Sequence, residues 1–274
     1  MYHYNRMLTI LLLVLTLTFT AFAGVMVVTK ETDKTTGKVT MSTLYIDKQG
    51  IRVETGENVG ADLVIFRKDK NSFWVIDTQK GTYMEITKSD IEKMNSMIDH
   101  QMKMMEEQIK NLPPAQQEMM KKHMQQMMGV GETPKEEYKK VKSGVKVNQW
   151  VCDVYEGFQD GAKFEEIYTV DWGSVGISKE DLLPFKEMEE FFSSMHSRNK
   201  GKGKGSRFDF GFEDEGYEGV PVKEVYYDGG QVQSITEVVK ITRQDFSADL
   251  FNLPKGLKKA ENPFQEMETP QQWK

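Results

Sequence analysis

Residues 104–128, MMEEQIKNLPPAQQEMMKKHMQQMM, hold seven of the chain's 18 methionines and one of its four histidines. Thioether sulfur and imidazole nitrogen together suit a soft cation such as Cu(I). If the chain folds back at Pro113-Pro114, His100 comes near Met127 and His123 near Met104, and these four residues form a candidate copper set. Methionine also has plainer uses, because it is unbranched and polarizable: it fills irregular gaps in a core, and it makes adaptable surfaces for apolar ligands. Core completion is the simplest reading of this stretch. A lid over an acyl chain is the more specific one, and copper is the sharpest alternative.

Other reactive groups are sparse. The single cysteine, Cys152, lies in QWVCDVYEG, where Trp150, Cys152 and Val154 share one face of a strand. No histidine is near it in sequence, so a buried structural thiol is expected rather than a nucleophile. The remaining histidines, His3 and His196, fall in a leader and in an expected loop. Neither HExxH nor GxSxG occurs, which argues against an enzyme built on those constellations. The glycine and lysine run at 200–205 lacks the spacing of a phosphate loop and has no strand leading into it, so no nucleotide site is expected. Glu213-Asp214-Glu215 lacks the spacing of a calcium loop and is expected to be solvated charge.

The start of the chain bears on where this chemistry operates. Arg6 precedes the uncharged run MLTILLLVLTLTF, and Ala21 and Ala23 stand just ahead of Gly24, the layout of a cleavable secretory signal over 1–23. A periplasmic or secreted protein beginning at Gly24 is therefore expected. The whole chain carries a net charge of −6, and loss of Arg6 makes it more negative, which disfavours nucleic acid as a partner. One cysteine cannot form an internal disulfide, so the fold must rest on burial within a single domain, 24–274.

Those residues must be positioned by strands for the most part. GVMVVTKETD, GKVTMSTLYIDKQG, GIRVETGE, ADLVIFRKDKN and SFWVIDTQKGTYMEIT alternate apolar and polar residues between turn signals. The pattern resumes in KSGVKVNQWVCDVYEGF and AKFEEIYTVDW, and again in PVKEVYYDGGQVQSITEVVKI, where Asp228-Gly229-Gly230 marks a hairpin. About nine or ten consecutive antiparallel strands in one curved, meander-like sheet are predicted from this period. Two segments switch to a helical period. From Ser89, taken as the cap, the stripe Ile91, Met94, Ile98, Met102, Met105, Ile109 and Leu112 predicts a helix that Pro113-Pro114 stops. A second helix, lined by Gln116, Met120, Met124 or His123, and Met127, would complete a hairpin over 89–129. SKEDLLPFKEMEEFFSSM places Phe185, Met188, Phe192 and Met195 on another helical stripe, and 196–219 reads as a flexible loop.

The exported start, the strand series, LPPAQQEMM and the ending GVPVKEVYYDGGQVQSITEVVKITRQDFSADLFNLPKG resemble a family of bacterial exported proteins of unknown function. That family is related in fold to the periplasmic outer-membrane lipoprotein carriers. Leu257 stands where an aromatic is expected after the last glycine. The resemblance implies a mainly β fold: an incomplete antiparallel barrel covered by a Met-rich helical hairpin and a second helix, enclosing an apolar cavity. With no catalytic constellation in the sequence, a non-enzymatic carrier or sensor without a cofactor is expected, whose partner is a lipid, a lipidated protein or another apolar ligand. Met94, Ile98, Met102, Met105, Ile109, Met188 and Phe192 are the candidate ligand-lining residues, chosen because they share the two helical stripes. A copper-binding envelope protein and an interaction module without a small ligand are the alternatives.

Overall fold

The computed structural model describes residues 24–56, 61–110, 112–114, 116–120, 136–196 and 216–261. Strands β1 (Gly24–Asp33), β2 (Val39–Asp47), β3 (Gly50–Thr55), β4 (Leu63–Arg67), β5 (Ser72–Asp77) and β6 (Thr82–Thr87) form one up-and-down meander. Helix α1 (Lys88–Lys110) follows. A second series comprises β7 (Glu136–Val147), β8 (Trp150–Gln159), β9 (Ala162–Val170), the short α2 (Trp172–Val175), α3 (Leu183–His196), β10 (Val220–Asp228) and β11 (Gln231–Gln244), before the two-residue β12 (Lys258–Lys259). The sheet order is β12-β6-β5-β4-β3-β2-β1-β11-β10-β9-β8-β7. The single mainly antiparallel, curved and unclosed sheet expected from the sequence is the one observed. In place of nine or ten strands there are twelve among the described residues, and the sheet is two meanders joined where β1 pairs with β11.

The turns form where the sequence signals them. Asn71, Gly81, Asp160, Gly161, Gly229 and Gly230 all have positive φ, which glycine adopts freely and Asn or Asp tolerates. Register is uninterrupted from β2 to β6, whereas shifts occur in the β1–β11, β11–β10, β10–β9, β9–β8 and β8–β7 pairings. Extra residues at such shifts bend the strand and increase its twist. All but the β1–β11 shift lie within the second series.

Alternation sends apolar residues to both faces of the sheet. Val25, Val27, Leu44, Ile46, Ile51 and Phe66 share a core with Ile91 of α1 and with Ile177, Leu182, Phe185 and Phe191 around α3. Each large side chain buried this fully contributes about 2–3 kcal/mol relative to exposure. On the opposite face, Leu63, Ile65, Trp74 and Ile76 pack with Tyr83, Leu253 and Leu257. The C-terminal segment is therefore a strap over that second face. Phe251, in the 3₁₀ turn Ala248–Phe251, is fully buried, and Leu257 supplies the apolar contact expected of an aromatic there.

Two local devices place the helices. Thr87, and not Ser89, caps α1: the Asp90 carboxylate accepts from the Thr87 N–H at 2.8 Å and from its hydroxyl at 2.7 Å, while the Asp90 N–H donates back to the Thr87 hydroxyl at 3.2 Å. The helix thus begins directly where β6 ends. Before α3, the Asp181 carboxylate accepts from the Ser178 N–H at 2.7 Å and from its hydroxyl at 3.0 Å, and it also pairs with Arg243 of β11. The predicted helix over 178–195 is therefore a 3₁₀ turn, Lys179–Leu182, running into α3.

Candidate functional site

Helix α1 lies against α3 and β6. Its predicted stripe is unevenly covered. Ile91 and Ile109 are buried, each at 1% exposure. They are about five turns apart on one line of the helix at 3.6 residues per turn. Ile98 falls close to that same line, yet it is 40% exposed. Met94, Met102 and Met105, beside it, are half-buried. Along this line, burial is complete at Ile91 and Ile109 and least at Ile98 between them.

The end of α1 is fixed by the proline break. The Gln116 and Gln117 N–H groups donate to the Pro113 carbonyl at 2.9 and 3.0 Å, which starts a new helical turn. The Gln117 side-chain amide reaches back to the carbonyl oxygens of Lys110 and Leu112 at 3.1 and 2.8 Å. The last carbonyl of α1 and one just beyond it are thereby satisfied by the second glutamine of LPPAQQ. Residues 116–120 are helical, with Met119 and Met120 exposed.

The candidates on α3 are packed more tightly than expected for an open lining. Phe66, Phe191, Phe192 and Phe73 form a chain of edge-to-face rings with centroid separations of 5.6, 4.8 and 5.0 Å. Phe192 is thus committed to other rings, and Met188 packs against the same core. Phe191, buried but absent from the predicted stripe, joins α3 to Phe66. Its neighbour Phe192 carried the same signal one residue away. For the copper set, His100 and Met104 are both exposed on α1, one helical turn apart, and His123 and Met127 lie outside the described residues. Met195 belongs to α3, but its side chain is likewise outside the described set, as are 197–215.

Sequence reasoning missed two polar clusters, because each is assembled from strands whose neighbours are not legible in the sequence. In the first, the Lys163 ammonium sits between Glu156 and Glu166 at 2.7 and 2.5 Å and over the Tyr227 ring. Burial pulls its pKa down, but the two carboxylates outweigh that and hold it raised. The Tyr168 hydroxyl donates to Glu166 at 3.1 Å, and burial, reinforced by Glu166, pushes its pKa up to about 12. In the second cluster the Tyr138 hydroxyl donates to the buried Glu165, and Tyr217 packs on Tyr138 and Tyr155. Burial and Glu165 raise the Tyr138 pKa. The raised pKa values of Lys163, Tyr168 and Tyr138 keep these three donors protonated at neutral pH, which suits their hydrogen bonds to fixing strands. Cys152 is buried in the core, and burial raises its thiol pKa, which leaves it a poor nucleophile.

Among the described residues, no His, Cys, Asp and Glu side chains gather in a group of three or more that could hold a metal. No described helix is long and apolar enough to cross a membrane.

Comparison with known proteins extends over part of this architecture. No curated protein matches the chain. The chain is similar in structure to an uncharacterized conserved protein from Thermus thermophilus, with 9% sequence identity, a TM-score of 0.43, and coverage of 88% of this chain and 91% of that one. Residues 178–257 match the family described as a domain of unknown function (DUF4412). That span runs from the cap of the α3 segment through β10 and β11 to Leu257 in the strap, and includes the LFNLPKG ending.

Proposed function

We propose that this protein is an exported, non-enzymatic binding protein that takes an acyl chain or a comparable apolar ligand beside α1, on the helix-bearing face of the sheet. The reading extends to kinship with the periplasmic lipoprotein carriers. One observation carries it: Ile98 is 40% exposed between the buried Ile91 and Ile109 on the same helix line, with half-buried methionines beside it. A helix buried at Ile91 and Ile109 keeps its place while its middle moves to admit a ligand. Methionine suits that middle because it repacks around different apolar shapes at little cost. The firmly packed rings of α3 supply a rigid wall and the α1 methionines an adaptable one.

Native mass spectrometry of mature protein, purified gently from the envelope of its own cells, tests this reading. A bound lipid or fatty acid, displaced by a fluorescent fatty acid, is the expected result. Recovery of an empty protein that takes up no fluorescent fatty acid would reject the apolar-ligand reading, and retention of Cu(I) in its place would favour the histidine and methionine set.

A further inference from the structure

We infer that the methionines of α1 form a reversible oxidation site, and that their sulfoxides release α1 from α3 and the sheet. The two fully buried points on the stripe are isoleucines, Ile91 and Ile109, which peroxide does not oxidise. Between them solvent reaches Ile98, which peroxide does not oxidise either, and several methionines. Met94, Met102 and Met105 are half-buried on the stripe, Met97 is half-buried beside it, and Met104 on the flank is 51% exposed. Met119, past the proline break, is 66% exposed. A fully exposed methionine can be oxidised without structural effect, and a fully buried one is out of reach. A half-buried one is both reachable and coupled to packing.

The chemistry is a two-electron transfer. The thioether sulfur attacks one oxygen of hydrogen peroxide, the O–O bond breaks, the sulfur becomes a sulfoxide, and the other oxygen leaves as water after proton transfer. Methionine sulfoxide reductases reverse it with a thiol donor, the oxygen departing as water while the thiols become a disulfide. The sulfoxide is polar and must be desolvated for α1 to sit as it does. Oxidation therefore shifts the helix toward an undocked state without touching the strand pairing or the strap. This step is independent of any ligand.

Mild peroxide treatment of the full mature chain, followed by peptide mass mapping and hydrogen exchange, tests the inference. Met41 of β2, 44% exposed, provides an internal control because it lies on a strand outside the helix. Sulfoxides at Met94, Met97, Met102 and Met105 should speed exchange across 92–108 by about tenfold or more, the order set by burying one unpaired polar group. Sulfoxide at Met41 alone should leave that exchange unchanged. Reductases of both stereospecificities should restore it. In the variant Met94→Leu, Met97→Leu, Met102→Leu and Met105→Leu, which keeps the volume and apolarity of these half-buried positions, α1 should remain protected under peroxide. Unchanged exchange in fully oxidised wild-type protein, equal loosening in the leucine variant, or failure of the reductases to restore protection would each overturn the inference.

Discussion

The Arg67 guanidinium donates from Nη1 to Oδ1 of Asn252 at 2.9 Å, joining β4 to the strap across 185 positions of sequence. The same group forks onto Asp69 at 2.8 and 2.7 Å and reaches the Phe251 carbonyl at 3.4 Å. Arg52, on the neighbouring strand, donates to the Leu250 carbonyl at 2.9 Å. Two arginines thus hold the backbone of the LFN sequence while Phe251, Leu253 and Leu257 bury its apolar side.

Replacing Arg67 by Ala removes a buried guanidinium from the Phe251 carbonyl, Asn252 and the exposed Asp69, and should lower unfolding stability by about 1–3 kcal/mol. Arg67→Lys should rescue little, because an ammonium lacks the planar fork that meets Asp69 and Asn252 together. Urea denaturation followed by tryptophan fluorescence reads both effects, since Trp74 lies beneath the strap. Equal stability of the Lys variant and wild type would show that charge alone suffices.

The ends of α1 offer a second test. Asp90→Ala removes the acceptor for the Thr87 N–H and should cost about 1 kcal/mol, whereas Ser89→Ala should cost almost nothing. Gln117→Ala should free the carbonyls of Lys110 and Leu112 and cost about 0.5–1.5 kcal/mol. Hydrogen exchange should place the first loss at the beginning of α1 and the second at its end. A loss spread evenly over the helix would mean that neither device acts locally.

Much of this fold was legible in the sequence. The two-residue period, the Asp-Gly-Gly hairpin and the helical stripe before Pro113 follow from local sterics and burial, and these elements are where they were expected; of the stripe after it, Gln116 and Met120 are helical and the rest lies outside the described residues. The pairing of β1 with β11 was not legible, because alternation tells a strand which face is apolar but does not name its neighbour. The cap shifted from Ser89 to Thr87 because the Thr87 and Asp90 side chains reciprocate while β6 runs straight into the helix. The candidate stripe was read correctly as a helix face. Its uneven burial was not, since Ile98 has the same periodic signal as Ile91 and only tertiary packing separates them. The Lys163 and Tyr138 clusters were hidden for the same reason as the strand order.

The strap should respond to pH through Glu85 and Lys259. The Lys259 ammonium beside Glu85, at 2.7 Å, is the main cause that holds the Glu85 carboxyl below its ordinary range, helped by the Trp74 indole and Ser72 hydroxyl and opposed by burial. Glu85 in turn holds Lys259 above its ordinary value. A depressed carboxyl stabilises the folded state above its unfolded pKa of about 4.3 and loses that contribution as pH falls through the lower folded value. The raised lysine contributes below its unfolded pKa of about 10.4 and loses that contribution as pH rises through the higher folded value. Protection of the Lys258 and Ala260 N–H groups, which donate to Gly81 and Tyr83, should therefore be flat across neutral pH and fall in acid. Glu85→Gln should flatten the acid limb. Persistence of that limb in the variant would assign it to another carboxylate.

The uneven burial of α1 allows ligand binding to be separated from stability. Ile98 is exposed enough that Ile98→Gln should change unfolding stability by no more than about 0.5 kcal/mol. If the middle of α1 is the adaptable wall of an apolar site, the same change removes a hydrocarbon contact and should weaken fluorescent fatty-acid binding by about fivefold to tenfold. Met102→Gln with Met105→Gln should weaken it further, at some cost in stability because those side chains are half-buried. His100→Ala, on the exposed side of the helix, should leave fatty-acid binding unchanged. Under the copper reading the order reverses: His100→Ala and Met104→Ala reduce Cu(I) retention, while Ile98→Gln has no effect. Fluorescence titration with the fatty acid and competition for Cu(I) against a chelator read the two patterns independently. An Ile98→Gln variant that binds fatty acid as tightly as wild type would place any apolar ligand away from α1, because no other substitution in the series alters the stripe with so little effect on the fold.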